Sequence, residues 1–320
     1  MELVLMTELD SNSRHVGVII PAYNAKQWIG ETVRSVLSQT HHNLQLLVVD
    51  DGSTDGTFDY AARATADDSR ARVHRIVNGG TSHARNTGAS LCREAEFLLF
   101  LDHDDLLIPN AIRTLVEVLL REPSCIAAHG MCGLIDSHGA VINECWRWQY
   151  DQAEDEARKF RADTPRMTDL AMFGVRNAIA TTGQVLIPAE EFAREQFNPR
   201  YPIVQDWDLW RRLARHGPMA MTAETVLFHR KHPQSAGSNR DQTRQDRVSM
   251  QRNTAGAGFS PSQIQLLNSM HRSSERRRMG VLTQEMKEKL RRGAWSLAVK
   301  SALGAMLSGL QSIRGVPTIR

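Results

Sequence analysis

Short apolar runs alternate with longer helical patterns from Val16 onward, and this alternation restricts the possible folds more than any other feature. The runs VGVII, LQLLVVD, RVHRIV and EFLLFLD each have the length and composition of a buried strand. Between them, apolar residues recur at helical spacing, as Trp28, Ile29 and Val33 do. Strands that alternate with helices predict crossover connections. We therefore expect an α/β, Rossmann-like fold with a mostly parallel sheet and helices on both faces.

Changes in composition along the 320 residues predict three regions. We expect a flexible N-terminus over residues 1–15, the α/β domain over 16–240, and a basic, mainly helical C-terminal extension over 241–320. In the extension, the stretch LTQEMKEKLRRGAWSLAVKSALGAMLSGL carries Leu and Met with Lys and Arg at helical spacing. Such a helix suits an anionic membrane surface or a packed position on the protein, and both readings stay open.

Composition excludes several classes of protein. Hydrophobic residues make up 41% and charged residues 23%, as in ordinary soluble globular proteins, and the net charge of +3 does not indicate a nucleic-acid partner. The four cysteines lack the spacing of a zinc site, and we expect them to be reduced and mostly buried. Without an apolar run of about 18 residues or a basic leader, the sequence predicts a cytoplasmic protein.

Acidic residues gather where two of the predicted strands end. Asp50 and Asp51 close the run LQLLVVD, and Asp102, Asp104 and Asp105 follow the run FLLFL. Ligands of open α/β sheets bind outside the carboxyl ends of the strands. Like charges held this close together must protonate or bind a cation. A few carboxylate oxygens suit Mg²⁺ or Mn²⁺ completed by waters and a diphosphate, so the sequence predicts a metal that carries an anionic substrate.

Four motifs in order resemble the family 2 glycosyltransferases of the GT-A fold. They are VIIPAYNAKQWIGETVRSVLSQTHHNLQLLVVDDGSTDGT, NGGTSHARNTG, FLDHDDLL and QDWDLWRRL, within the region 16–238. The resemblance implies a GT-A catalytic domain over residues 16–240. It further implies an inverting transferase that uses a nucleotide-diphospho-sugar and a divalent cofactor, Mn²⁺ or Mg²⁺.

The resemblance assigns the nucleotide end of the site to residues of three motifs. Pro21, Ala22 and Tyr23 would line the nucleobase pocket, with Tyr23 stacking on the base. Asp51 would accept a hydrogen bond from the base. Arg85, in the sequence ARN, would contact the nucleotide or its phosphates.

The same resemblance assigns the diphosphate and metal end. Within the Asp-x-Asp motif, Asp102 would face the ribose and the metal, and Asp104 would bind the metal that bridges both phosphates. Arg230 and His232, in the sequence HRKH, would reach the diphosphate. His229 stands where the family more often has an aromatic residue.

The QDWDLW motif implies the catalytic residue. Asp206 matches the base that takes the proton of the acceptor hydroxyl, with Trp207 beside the acceptor or the sugar. Asp208 is then the structural member of the acidic pair, since Asp commonly caps the start of a helix. Gln205 replaces the acid that commonly precedes the base, which leaves one fewer negative charge beside it.

The implied reaction moves a sugar from a UDP-, dTDP- or GDP-linked donor to a hydroxyl of a glycan or lipid-linked acceptor. Surface polysaccharide or lipid-linked glycan synthesis would place it in the cytoplasm or on the inner face of the cytoplasmic membrane. Two other classes stay open. A non-catalytic nucleotide-sugar-binding module would lack the base, so Asp206 argues against it. A metal-dependent phosphohydrolase built on His103 and Asp104 would need further histidines nearby.

Overall fold

The computed structural model describes residues 11–146, 148–157, 167–235, 240–270 and 272. These residues fall into two compact units, divided between Thr243 and Arg244. Part of the predicted flexible N-terminus, residues 1–10, lies outside the described residues, and so does the helix predicted over residues 282–310. None of the described helices is long and apolar enough to cross a membrane.

The first unit is built on one mixed sheet. Its strands within the described residues are β1 (Val16–Ala22), β2 (Leu44–Asp50), β3 (Ala71–Arg75), β4 (Phe97–Phe100), β5 (Leu106–Leu107), β6 (Ala127–Ile135), β7 (Val141–Trp146), β8 (Met167–Thr168), β9 (Val185–Pro188) and β10 (Met219–Arg230). Their spatial order is β3-β2-β1-β4-β9-β6-β10-β5, with β7 added beside β6 and β8 beside β10.

Helices connect these strands, as the alternating pattern predicts. The described helices are α1 (Ile29–Leu37), α2 (Thr57–Thr65), α3 (Thr81–Leu91), α4 (Ala111–Arg121), α5 (Trp148–Ala157), α6 (Leu170–Val175), α7 (Ala189–Arg194), α8 (Gln205–Leu213) and α9 (Arg240–Arg252). The apolar spacing read in the first helical segment is the buried face of α1, where Ile29 and Val33 are fully enclosed. Residues 261–270 of the second unit are also helical.

The first half of the chain forms the expected parallel core. β1 lies between β2 and β4 and pairs with both in parallel, and β3 adds in parallel to β2. Val16, Val18 and Ile20 on β1 are completely buried. Ala22 lies opposite Asp50 at the last register position, so the carboxyl ends of β1 and β2 meet at one edge of the sheet.

The second half of the sheet departs from a parallel pattern. β9 pairs antiparallel with both β4 and β6, and β10 pairs antiparallel with β5 and β8 but parallel with β6. Three of these strands, β5, β8 and β9, have only two to four residues. So short a run shows no periodicity, which is why the sequence did not indicate them.

Candidate functional site

A cleft of about 1450 Å³ opens at the carboxyl ends of β1, β2 and β4. Its wall combines residues from the ends of these strands, from α3 and α8, and from the segment after β10. Most side chains predicted from the sequence to form the site line this cleft: Pro21, Ala22, Tyr23, Asp51, Arg85, Asp102, Asp104, Asp206 and His232. Two others, Trp207 and Arg230, do not appear in the cleft wall.

The loops after β1 and β2 are fastened to each other and form one end of the cleft. The amide of Asn24 donates to Oγ of Ser53 at 2.9 Å, and the amide of Ala25 donates to Oγ1 of Thr57 at 2.7 Å. Asn24 has a φ of +49°, a left-handed conformation that Asn tolerates better than most residues. The ring of Tyr23 is thereby left 49% exposed at the cleft rim.

Asp51 lines this end of the cleft, and hydrogen bonds hold both of its carboxylate oxygens in place. Oδ1 accepts a hydrogen bond from the amide of Gly79, and Oδ2 accepts one from the amide of Gly80, both at 2.8 Å. Gly80 has a φ of +86°, which suits glycine at the turn into α3. The carboxylate is therefore fixed in place, with lone pairs left for a further donor.

Asp102 is held by an ion pair with Arg85 of α3. Nη2 of Arg85 lies 2.5 Å from Oδ1 of Asp102, and the hydroxyl of Thr181 lies 3.1 Å from Oδ2. Burial opposes ionisation of Asp102, but the charge of Arg85 outweighs it and keeps the pKa below its ordinary value. In the described part of the chain, Nε and Nη1 of the buried Arg85 have no hydrogen-bond partner.

Asp104 and His232 meet in space although they are 128 residues apart in the sequence. Nε2 of His232 lies 2.8 Å from Oδ2 of Asp104. The imidazole ring also packs on Trp28, with ring centroids 4.2 Å apart. A carboxylate oxygen and an imidazole nitrogen therefore lie next to each other in the cleft wall.

Asp105, the third acid of the cluster, is fully buried and has a structural role. Its Oδ1 lies 2.9 Å from Nδ1 of His229 and accepts from the amide of Arg230 at 3.0 Å. Its Oδ2 accepts from the hydroxyl of Thr181 at 2.8 Å. Although burial opposes the charged ring, the Asp105 carboxylate raises the pKa of His229. Asp105 thus fastens the acidic loop to the end of β10.

Arg230 lies beneath the acidic loop rather than in the cleft. Its side chain is 1% exposed; Nε donates to the carbonyl oxygen of Asp104 at 2.9 Å, and Nη2 pairs with Glu31 at 2.8 Å. Successive strand residues point to opposite faces, so His229 and Lys231 face the cleft while Arg230 points inward. The structure therefore does not bring Arg230 to the position expected for a diphosphate contact.

Asp206 lies in the first turn of α8 and faces the cleft. Its Oδ2 accepts a hydrogen bond from the amide nitrogen of Asn177 at 2.7 Å. Burial raises the pKa of Asp206 to about 6, although its hydrogen bonds and the charge of Arg85 act in the opposite direction. A carboxyl group with such a pKa accepts a proton more readily near neutral pH than an exposed Asp does.

The neighbours of Asp206 on α8 serve the packing of the helix. The indole of Trp207 is buried and donates to the carbonyl oxygen of Phe173 at 2.6 Å, so the structure does not place it in the cleft. Gln205 accepts a hydrogen bond from Ser82 of α3, which ties the two helices together. Asp208 pairs with Arg212 one turn later at 2.8 Å, in keeping with a structural role.

Several residues that line the cleft or contact its acids were not indicated by the sequence. Asn177 and Thr181 belong to a segment without a recognisable motif, and only their contacts with the acids reveal them. Tyr60 lines the cleft beside Lys26, whose ammonium lies 5.3 Å from the ring centroid. The position of Lys231 could have been predicted from the sequence, because strand alternation from His229 places its side chain on the cleft side.

Comparisons of sequence identify the family. The family model described as Glycosyl transferase family 2 matches residues 17–180. An uncharacterized glycosyltransferase of Rickettsia felis is 28% identical over 223 residues, which cover 68% of this chain and 34% of the relative. The chondroitin synthase of Escherichia coli is 28% identical over 208 residues, covering 63% of this chain and 27% of that protein. The aligned chain spans about a third of the first curated relatives.

Comparisons of structure support the same fold. S. aureus TarS 1–349 superposes with a TM-score of 0.60 at 15% identity, covering 95% of this chain and 81% of TarS 1–349. The mannosyltransferase PcManGT from Pyrobaculum calidifontis, in complex with GDP-Man and Mn²⁺, gives 0.58 at 17% identity, covering 92% and 87%. Identities this low show a shared fold alone. Together with the family model, which spans just over half of the chain, they confirm the family and fold predicted from the four motifs: the chain belongs to glycosyl transferase family 2 and has the GT-A fold.

Proposed function

We propose that the chain is an inverting, metal-dependent glycosyltransferase that moves a sugar from a nucleoside-diphosphate donor to a hydroxyl acceptor. One observation carries this proposal. A single cleft holds the Asp104–His232 pair and, separately, Asp206 with a pKa raised to about 6. The structures of TarS with UDP and UDP-GlcNAc, and of PcManGT with GDP-Man and Mn²⁺, give it further support.

Asp104 and His232 are the residues that we propose to hold the metal. The carboxylate of Asp104 is a ligand that Mn²⁺ and Mg²⁺ favour, and the imidazole nitrogen of His232 lies 2.8 Å from its Oδ2. Within the described residues, no group of three or more such side chains is arranged to hold a metal. The remaining ligands would be phosphate oxygens and waters, as is common for these ions. A bound ion would supply positive charge that stabilises the departing diphosphate.

Asp102 then takes a smaller part in binding the metal than the sequence motif implies. Its Oδ1 already accepts hydrogen bonds from Arg85 and Thr182, while its Oδ2 lies 3.1 Å from the hydroxyl of Thr181, which donates its one proton to Asp105. We keep for Asp102 the proposed contact with the ribose and the metal through its remaining lone pairs. Arg85, which lines the cleft wall, would contact the nucleotide or its phosphates. Tyr23 and Asp51 would stack on and hydrogen-bond to the nucleobase.

Asp206 is the proposed base of a single displacement. The carboxylate takes the proton of the acceptor hydroxyl while the acceptor oxygen forms a bond to the anomeric carbon. The bond from that carbon to the phosphate oxygen breaks, and its electron pair leaves with the diphosphate. One base and one in-line attack invert the anomeric configuration, by the same logic as an inverting glycosidase.

The acceptor that we propose is a hydroxyl of a growing surface glycan or a lipid-linked glycan, at the inner face of the cytoplasmic membrane. A relative named chondroitin synthase supports a glycan acceptor. The phosphohydrolase alternative has less support. It needs further histidines beside His103, and the described residues hold no such cluster.

Nucleotide-dependent thermal stabilisation tests the proposal. The panel consists of UDP, GDP, dTDP and ADP, each with and without Mn²⁺, on the wild type and on Asp104→Ala. Because a ligand that binds the folded state raises its Tm, we expect one nucleotide with Mn²⁺ to stabilise the wild type but not Asp104→Ala. Asp67→Ala, which removes an exposed carboxylate outside the cleft, should respond like the wild type. No response of the wild type to any nucleotide at millimolar concentration would overturn the proposal.

A further inference from the structure

Lys231 enters the cleft from the end of β10, between two residues that already face it. His229 and His232 both line the cleft, and so does Lys231. The amide of Lys231 donates to the carbonyl oxygen of Ile135 at 2.8 Å, which anchors its backbone to the end of β6. The side chain therefore starts from a fixed point beside the imidazole that meets Asp104.

Lys231 feels the charges of Asp105 and Asp104 but forms no ion pair with a described residue. Among the described residues, no carboxylate lies within ion-pair distance of its ammonium. Instead, the ammonium lies 5.0 Å from the ring centroid of Trp146, another residue of the cleft wall. A cation over an aromatic face stays available for an anion, because this contact is weaker than a charged hydrogen bond.

The other basic side chains of the cleft wall have different positions or partners. Arg85 is paired with Asp102 at 2.5 Å. Lys26 lies beside the ring of Tyr60, on the loop that follows β1. A diphosphate bound at Asp104 would add negative charge beside the carboxylates of Asp102 and Asp104. Among the described residues, Lys231 is the neighbouring cation that forms no ion pair.

We infer that Lys231, rather than the buried Arg230, is the cationic side chain that contacts the diphosphate and stabilises it as it departs. This inference rests on the proposed function. The ammonium donates a hydrogen bond to the phosphate oxygens beside the sugar, where the electron pair of the broken bond collects. No proton needs to move from the lysine. Arg230 keeps a positioning role, because it holds the carbonyl oxygen of Asp104 from below.

Binding of nucleoside diphosphates and monophosphates to Lys231→Met and Lys231→Arg tests the inference. The probes are UDP, GDP, dTDP and ADP and the matching monophosphates, all with Mn²⁺, measured by thermal shift and calorimetry. We expect Lys231→Met to weaken the preferred diphosphate by about tenfold or more, the loss typical of a charged hydrogen bond, and the monophosphate much less. Lys231→Arg should retain most of the affinity, because it keeps the charge.

Arg121→Met serves as the matched control. It removes one positive charge from an exposed position of α4, outside the cleft wall, and should bind the diphosphate like the wild type. Equal diphosphate affinity in the wild type and Lys231→Met would overturn the inference and leave the proposed function standing. Equal loss for both kinds of nucleotide, or equal loss in Arg121→Met, would overturn it as well. A wild type that responds to no diphosphate would overturn the proposed function, and with it the inference.

Discussion

The three acids of the DHDD sequence have different roles, although they lie within four residues of one another. Asp102 is paired with Arg85, Asp104 meets His232, and the enclosed Asp105 holds the end of β10. The chemistry of a carboxylate depends on its burial and on its hydrogen-bonding and ionic partners. Both differ among these three acids. At the scale of the residue, function therefore follows from the surroundings rather than from the type of side chain.

The same reasoning predicts the pH dependence of Asp206. Only its ionised form can accept a proton, and burial raises its pKa to about 6. We expect kcat/KM to fall as the pH decreases through about 6, and to level off above it. Asn177→Ala removes a hydrogen bond that lowers this pKa, so the acidic limb should move to higher pH. Initial rates of nucleoside diphosphate release from the donor, measured across the pH range, check both outcomes.

Asp206→Asn provides the control for this assignment. Loss of the proposed base should lower kcat by about 10²- to 10⁴-fold and leave the affinity for the nucleoside diphosphate unchanged. An acidic limb that persists in Asp206→Asn, or that does not move in Asn177→Ala, would show that another group controls the profile.

At the scale of the element, close packing of α3 on β1 determines where Arg85 lies. Gly88 of α3 is buried, and a Cβ atom added there would lie 2.4 Å from Cγ2 of Ile19 on β1. The absence of a side chain lets the helix approach the strand closely. Arg85 precedes Gly88 by about one turn, so this approach also sets the distance between Arg85 and Asp102.

Two glycine substitutions with opposite effects test this packing. We expect Gly88→Ala to lower the free energy of unfolding by about 1–3 kcal/mol, because the added methyl group must displace α3 or Ile19. Gly30→Ala in α1, where a Cβ would meet no atom within 4 Å, should raise it by about 0.5–1 kcal/mol. Urea unfolding curves measure both. Equal effects of the two substitutions would contradict the close approach of α3 to β1.

At the scale of the whole molecule, the cleft depends on residues that are far apart in the chain but belong to one unit. Its wall extends in sequence from Pro21 to Ser235, and the first unit ends at Thr243. The acidic loop after β4 meets the end of β10 across 124 residues, in the contact between Asp105 and His229. Binding of the nucleotide should therefore be a property of the first unit.

Truncation of the chain after Asn253 tests this expectation. The shortened protein retains every residue of the cleft wall and the whole of α9. We expect its Tm to rise with the preferred nucleoside diphosphate and Mn²⁺ by as much as that of the full chain. A shortened protein that keeps its circular dichroism spectrum but loses this response would show that the second unit contributes to the site.

The parallel core and the sheet edge where the acids of the cleft gather could be predicted from the sequence. Both depend on local patterns: apolar runs define the strands, and Asp51, Asp102 and Asp104 directly follow or lie close to strand ends. The family motifs added Asp206 and His232, which the fold brings to the same cleft.

The directions of individual side chains and their contacts could be seen only in the folded chain. Trp207 and Arg230 are buried, Lys231 lies in the cleft wall, and Asn177 contacts Asp206. Short antiparallel strands such as β9 also became visible only there. The physical reason is that these outcomes depend on register and on packing between distant segments, whereas a sequence pattern reports on neighbours along the chain.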